Sequence, residues 1–559
     1  MALEAQPLRS FFLIFRDLIV RNEAVFLNRY GPAQAKIIAA DETAIVVETS
    51  MNLDSWTPFD ITLKIDGGIH RRGDIVFDHD PTPQSATTKT HCATSRLSTM
   101  KYLLYSFALL TAAFAEKPNF VIIFTDDQGY GDLGCFGSTT IKTPHIDRLA
   151  KEGRMFTNFM VASPVCTPSR AALLTGCYPK RVSMHQHVLF PASKKGLNPS
   201  EHSIADHLKA QGYATACFGK WHLGHHPETL PQKHGFDTYF GIPYSNDMNH
   251  PDNKGKPQGG SQGMDVLWAD PESTLTKWNT PLMENEKIVE LPVDQRTITR
   301  RCTDRAIDFI KQNKAKPFFV YLPHSMPHIP LYVPDEIRDP NPDNAYINVI
   351  EHIDTQVGRV VDYLREAELA QNTYVIFTTD NGPWLQFKHH GGSAGPLRAG
   401  KGTTFEGGQR VPCVMWAPGK IPAGTTCDQL CGTIDLLPTI AALTKSPLPK
   451  ERAIDGLDIS TLLTTQKKSP RDEFLYYSSN GHLQGIRQGS HKLLMVGPRH
   501  PKKNPKQKTA TYLFNLESDL GEQNNLAKDQ PDLVAKLKAR MKELDAEITQ
   551  NMRQPWVKN

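Results

Sequence analysis

Two segments of the 559-residue chain set the terms for its fold: "NFVIIFTDDQGYGD", beginning at Asn119, and "NTYVIFTTDNGP", beginning at Asn372. Each is an unbroken apolar run that ends abruptly in acidic and amide side chains. A strand with no polar positions is buried on both faces, as in a parallel sheet sandwiched between helices. Helical stretches such as "HIDRLAKEG", "SIADHLKAQG" and "CTDRAIDFIKQN" lie between the two runs, and the latter two lead into the strand candidates "ATACFG" and "PFFVYLP". This alternation predicts an α/β fold with a large, mostly parallel sheet flanked by helices. Ligands of such sheets gather beyond the carboxyl ends of the strands, where Asp126, Asp127, Asp380 and Asn381 fall. Past "TIDLLPTIAALT" the pattern becomes short segments, "EFLYYSS", "LQGIRQGSHKLLMV" and "TATYLFNLESD", followed by a helix near 532–548. These predict a smaller C-terminal antiparallel sheet carrying one helix. The basic run "PRHPKKNPKQK" inside it reads as a solvated hairpin loop.

Charge is nearly balanced, with 63 Lys and Arg against 59 Asp and Glu, which excludes the global basic field of a nucleic-acid-binding protein. Any charge argument is therefore local. "MKYLLYSFALLTAAFAEKPNF", from Met100, has a lysine, an apolar run and the small-residue pattern Ala113-Phe114-Ala115 of a secretory signal peptide. The run is short for a stable membrane span. Its position inside the chain suggests that translation starts at Met100 and that residues 1–99 are an over-extended gene start. The alternative is a genuine N-terminal domain, for which "FFLIFRDLIV" and "AIVVETS" could supply structure. The expected organisation is thus signal 100–115, catalytic domain 116–465 and C-terminal subdomain 466–559. Export permits disulfides, and of nine cysteines Cys427 and Cys431 are spaced for a small loop. The absence of any Asn-x-Ser/Thr sequon with a middle residue other than proline tilts localisation toward a bacterial periplasm or the exterior.

"VCTPSRAALLTG", Val165 to Gly176, places Cys166 just ahead of a short helix, with Thr167 as N-cap, Pro168 in the first turn and Gly176 closing it. A helix N-terminus favours an anion and would lower the pKa of a thiol there. The bland reading is a buried structural cysteine. The two acidic strand tips offer hard oxygen donors suited to Ca²⁺ or Mg²⁺, although either pair alone could simply cap a turn. In "GKWHLG", an extended backbone would put Lys220 and His222 on one side. With Arg170, Lys401 and His328 they could surround a tetrahedral anion. Each also has a plain alternative as a surface charge or a satisfied core histidine.

"CTPSRAALLTG" resembles the Cys-x-Pro-Ser-Arg signature of formylglycine-dependent sulfatases. "TDDQGYGDLG", "GKWHLG", "TDNGP" and "GKGTTFEGG" resemble that family's other blocks in the right order. The resemblance runs over 117–559, and "GIPYSNDM" and "PASKKGL" look like arylsulfatase A and N-acetylgalactosamine-6-sulfatase. It implies an alkaline-phosphatase-like fold that hydrolyses sulfate monoesters, plausibly of a sulfated small molecule or polysaccharide. It also implies that a formylglycine-generating enzyme oxidises Cys166 to Cα-formylglycine during export. One oxygen of the hydrated aldehyde then attacks sulfur, and the other, losing its proton, expels sulfate. Carried over by resemblance, Asp126, Asp127, Asp380 and Asn381 hold Ca²⁺, or Mg²⁺, with modified Cys166 beside or on it as a further ligand. Arg170 stabilises the hydrated aldehyde, and Lys220, Lys401 and Ser245 contact sulfate oxygens. His222 takes the diol proton, and His328 with Lys401 serves the leaving oxygen. His328 is preferred to His324 because one residue and a proline follow it. His389 and His390 are either sugar contacts or ordinary loop histidines. The rival functions are a formylglycine-dependent phosphonate or phosphodiester hydrolase, and a non-catalytic protein that binds sulfated glycans.

Overall fold

A computed structural model describes residues 117–249, 261–274, 277–497 and 508–558, together with strands between 23 and 91. Within the N-terminal unit, Glu23–Asn28, Gly31–Ala40, Ala44–Thr49 and Thr87–His91 form an antiparallel sheet, so the segment "AIVVETS" does contain a strand. The signal-like segment, "FFLIFRDLIV" and most of the basic run lie outside the described residues.

In the unit from Glu116 to Asn559, β1 (Asn119–Thr125) sits centrally in an eleven-stranded mixed sheet. Its neighbours are β7 (Phe318–Pro323) and β8 (Thr373–Thr379), and both run parallel to it. Beyond β7 come β3 (Ala214–Phe218) and β4 (Thr238–Gly241), also parallel. The antiparallel strands β5 (Leu282–Glu284) and β6 (Lys287–Glu290) finish that edge. On the other side β9 (Arg410–Trp416) runs antiparallel to β8, and β2 (Arg154–Met160), antiparallel to β9, again runs in the direction of β1; the apolar pattern alone does not distinguish the reversed β9 from a parallel strand. Short β10 (Thr425–Cys427) and β11 (Cys431–Gly432) pair with β2.

The two-residue period of β1 explains its continuous apolarity. Val121 and Ile123 point into one core with helices α1 (Pro144–Glu152), α3 (Ile298–Asn313) and α4 (Ala345–Glu366). Phe120, Ile122 and Phe124 point into the other, beneath α2 (Cys166–Thr175) and the helix Leu436–Leu443. Tertiary contacts fix the layers: the Asp354 carboxylate on α4 accepts the N–H groups of His145 at 3.1 Å and Ile146 at 2.8 Å, capping α1.

Four antiparallel strands follow, β12 (Glu473–Tyr477), β13 (Leu483–Gln488), β14 (His491–Val496) and β15 (Ala510–Asn515), as the sequence pattern predicts. Helix α5 (Pro531–Gln550) contributes Leu537, Met541 and Ile548 to their core, which is continuous with Met160 at the end of β2, Ala172 of α2 and Ile434 of the turn Thr433–Asp435. The eight cysteines among the described residues are all free thiols, so the pairing that the Cys427–Cys431 spacing would permit is not formed.

Candidate active site

Asp126 and Asp127, Asp380 and Asn381, Lys220 and His222, Ser245 and His328 follow the carboxyl ends of five adjacent parallel strands, whereas Cys166 and Arg170 come from α2 and Lys401 from the long segment before β9. Register pairs Thr125 of β1 with Thr379 of β8, so Asp126 and Asp380 leave the sheet side by side. The Asp127 N–H donates to Asp380 Oδ1 at 3.2 Å, and the Asn381 side-chain amide donates to Asp127 Oδ1 at 2.7 Å. From α2, the Arg170 guanidinium reaches Asp380 Oδ2 at 2.8 Å and Asp126 Oδ2 at 3.0 Å, and donates to the Lys220 carbonyl at 2.9 Å. The Lys220 ammonium pairs with Asp126 and donates to Ser245 Oγ at 3.0 Å. Lys401 pairs with Asp127 at 2.7 Å while lying 4.1 Å above the Trp384 ring. Cys166 Sγ lies 3.4 Å from Asp126 Oδ1 and 3.8 Å from Lys401 Nζ.

Two local expectations are corrected. The helix begins at Cys166 after an extended Val165 with no side-chain cap. Thr167 does not cap it because its hydroxyl donates to the His222 carbonyl at 2.8 Å and accepts the Leu189 N–H at 3.1 Å. Gly176 closes the helix with a φ of 66°. Lys220 and His222 lie past the end of β3 and not on an extended strand; His222 has a left-handed φ of 59°, as does Asp127 at 63°. Asp127 and His222 are two of ten non-glycine residues with positive φ among the described residues, and both are buried in this cluster, where the surroundings hold the backbone. The preceding turn requires Gly219, with a φ of 139°, since a Cβ there would stand 1.9 Å from the Pro323 carbonyl oxygen.

Three buried carboxylates thus face three buried cations, and the balance is uneven. Burial would raise Asp126, yet Lys220 and then Arg170 hold it well below the usual carboxylate range. Burial pushes Asp127 up against the pull of Lys401. Burial and the Asp126 charge push Asp380 up to about 7. Carboxylates that resist ionisation in a dry cluster leave room for a further positive charge. The donors fit a hard cation: Asn381 Oδ1 is buried without a partner, and ligand atoms of Asp126, Asp127, Cys166 and His328 lie within 4.8 Å of one another. His328 is an addition to the expected ligand set. Asp380 stands just behind it, with Oδ2 turned to Arg170.

The thiol itself reverses an expectation. A helix N-terminus lowers a thiol pKa, but at Cys166 burial and then the Asp126 carboxylate push it well above its ordinary value. These surroundings favour the protonated form of the unmodified thiol.

Cys166 opens onto a cavity of about 1170 Å³ that is also lined by His222, Ser245, Asp247, His328, Trp384 and Lys401. The His222 Nε2 faces the Leu189 carbonyl at 2.9 Å, and its Nδ1 has no partner. Burial and then Lys220 keep this imidazole neutral, so Nδ1 presents a bare lone pair. His328 Nδ1 faces the Ile329 carbonyl at 2.6 Å, with Nε2 at 3.5 Å from Ser245 Oγ and from Asp127 Oδ2. His324 is buried and does not line this cavity. Neither do His389 and His390, which bind Asp265. Sequence reading passed over Asp247, half-buried with an unpartnered Oδ1, and Trp384. The only sequence cue was their proximity to Ser245 and Asn381.

With that geometry in place, the match to known proteins decides the family: residues 118–446 fit the profile of the sulfatases. The chain belongs to the sulfatase family. The sulfatase is 35% identical over 467 residues to arylsulfatase G of Rattus norvegicus, spanning 78% of this chain and 87% of the relative. It is 39% identical over 378 residues to arylsulfatase A of Homo sapiens, spanning 66% and 72%. Among solved structures, Ps i-CgsB in complex with k-i-k-neocarrahexaose superposes with a TM-score of 0.65 at 30% identity, over 79% of this sulfatase and 95% of that chain. The sulfatase is accordingly a sulfuric ester hydrolase with an alkaline-phosphatase-like architecture. No helix among its described residues is long and apolar enough to cross a membrane.

Proposed function

We propose that this sulfatase cleaves sulfate monoesters of a sulfated carbohydrate after export, with Cys166 oxidised to Cα-formylglycine by a formylglycine-generating enzyme. The segment at 100–115 serves as the export signal and residues 116–465 as the catalytic domain, with 466–559 appended to it. The observation that carries the reading is the convergence of Arg170 and the two acidic strand tips on Cys166, which itself opens onto the cavity. The sugar assignment draws on the cavity's size and on the oligosaccharide bound by Ps i-CgsB.

Asp126, Asp127 and Asn381, with Asp380 behind them, would hold the divalent cation, Ca²⁺ in this reading. When bound it would add the positive charge that favours an anionic nucleophile and an anionic sulfate. The remaining roles belong to the chain. Arg170 fixes Asp126 and Asp380 and lies beside residue 166. Lys220, Ser245 and Lys401 present N–H and O–H donors to sulfate oxygens, where charge grows as the S–O bond breaks. His222 Nδ1, neutral and unpartnered, accepts the proton of the hydrated residue 166 as the aldehyde re-forms and sulfate leaves. The Nδ1–H of His328 is held by the Ile329 carbonyl, and burial and then Lys401 keep the imidazole neutral, so Nε2 has no proton to give and the Lys401 ammonium is the donor to the departing oxygen.

The test compares rates on an aryl sulfate and an aryl phosphodiester, using protein from a host that converts the cysteine. Turnover of the sulfate orders of magnitude faster, lost by about 10⁴-fold or more in Cys166→Ala, is the expected result. Preference for the diester would assign the phosphodiesterase chemistry instead. Binding of sulfated glycan without turnover of either substrate would make the protein a lectin-like relative.

A further inference from the structure

Away from the catalytic cavity, two histidines and a carboxylate meet in a way the hydrolytic reaction does not use. His389 Nε2 and His390 Nε2 each lie 2.7 Å from the same oxygen, Asp265 Oδ1. The carboxylate comes from the helix Ser261–Ala269, and the histidines end the turn Leu385–His390. Consecutive residues on a regular helix point about 100° apart. Here Lys388 leaves helical geometry, with φ 53° and ψ −118°, and the two imidazole rings come to 4.4 Å centroid to centroid. The three donor atoms lie within 4.8 Å of one another. Asp343 Oδ1 stands 3.8 Å from His389 Nε2 on the open side.

We propose that Asp265, His389 and His390 form a second metal site, distinct from the acidic cluster, that takes zinc. Two imidazole nitrogens with one carboxylate are zinc donors, whereas the catalytic cluster offers mainly hard oxygens. His390 is buried, while His389 and Asp265 are each about a third exposed, so the fourth position is open to water or to Asp343. His390 Nδ1 has no partner to orient the ring from behind, which sets the affinity below that of a fully supported structural zinc site. A metal here would tie the helix Ser261–Ala269 to the turn whose first residues, Leu385 and Gln386, line the catalytic cavity.

The experiment uses the full chain saturated with Ca²⁺, dialysed against zinc and analysed for both metals. Wild type should retain one zinc equivalent more than His389→Ala and Asp265→Asn, with calcium content equal in all three. Zinc should raise the melting temperature of wild type and leave both variants unmoved. His389 is half-buried, so its alanine variant reports even where Asp265→Asn disturbs the helix. Cobalt substitution should give the intense visible absorption of a four-coordinate site in wild type only. Equal zinc uptake by all three proteins, or none by wild type, overturns the proposal and leaves the sulfatase reading untouched.

Discussion

Lys492 offers the most quantitative test of how the C-terminal sheet is joined to the catalytic machinery. Its ammonium is wholly buried, 2.8 Å from Glu406 Oε1 and 2.9 Å from Glu522 Oε1, and both carboxylates are themselves fully buried. At an effective dielectric of about 20, each contact is a gross attraction of about 6 kcal/mol. Much of that is offset by desolvation, and removing one member of such a group typically costs about 3–5 kcal/mol because the partners stay buried and unpaired. Glu406 would keep the Tyr476 hydroxyl at 3.0 Å and Arg410 at 3.6 Å, whereas Glu522 would keep the Glu406 N–H at 2.7 Å. Lys492→Met should therefore destabilise the protein by about 3–5 kcal/mol in urea unfolding followed by tryptophan fluorescence. Lys492→Met/Glu522→Gln should be less destabilised than the single variant, because it removes the stranded charge. Burial already raises the Glu522 carboxyl, and losing Lys492 raises it further. A carboxyl raised in the folded state binds its proton more tightly there than in the unfolded chain, so stability falls as pH rises. The deficit of the single variant should accordingly shrink between about pH 8 and about pH 5. A cost below about 1 kcal/mol, or a double variant as unstable as the sum of its parts, would refute the reasoning.

Two further tests address the site itself. Trp384→Ala removes the ring 4.1 Å beneath Lys401 and should lower kcat/KM on an aryl sulfate, by about 2–30-fold if the cation–π contact is worth about 0.5–2 kcal/mol, with Trp384→Phe retaining most of it. An unchanged rate would mean that the ring does not position Lys401. Chelation should lower the melting temperature, and Ca²⁺ at a hundred times its Kd should restore about 2.7 kcal/mol. Asn381→Ala should blunt that restoration, and a melting temperature indifferent to divalent ions would leave the unpartnered Asn381 oxygen unexplained.

What the sequence makes legible follows from burial. A strand covered on both sides must be apolar at every position, so β1 and β8 announce themselves, and the residues just beyond them are the ones a cleft at the sheet's edge exposes. Side-chain competition is not written in that pattern. Thr167 has the right chemistry to cap α2, but its hydroxyl is taken by His222 and Leu189. The helix terminus favours a thiolate at Cys166, but burial and Asp126 outweigh it. Asp247, Trp384 and the Asp265 pairing depend on loops that approach only in the folded chain. Lys492 sits in a strand of mixed pattern, where nothing local marks it as buried.

The account stands on the chemical state of residue 166. Digesting protein from a converting host and weighing the peptide that contains it, with and without prior trapping by a carbonyl-reactive hydrazide, tests this most directly. We expect the mass of an aldehyde in place of CH₂SH, shifted by the hydrazide. An intact thiol in protein that turns over aryl sulfate at full rate would contradict the mechanism.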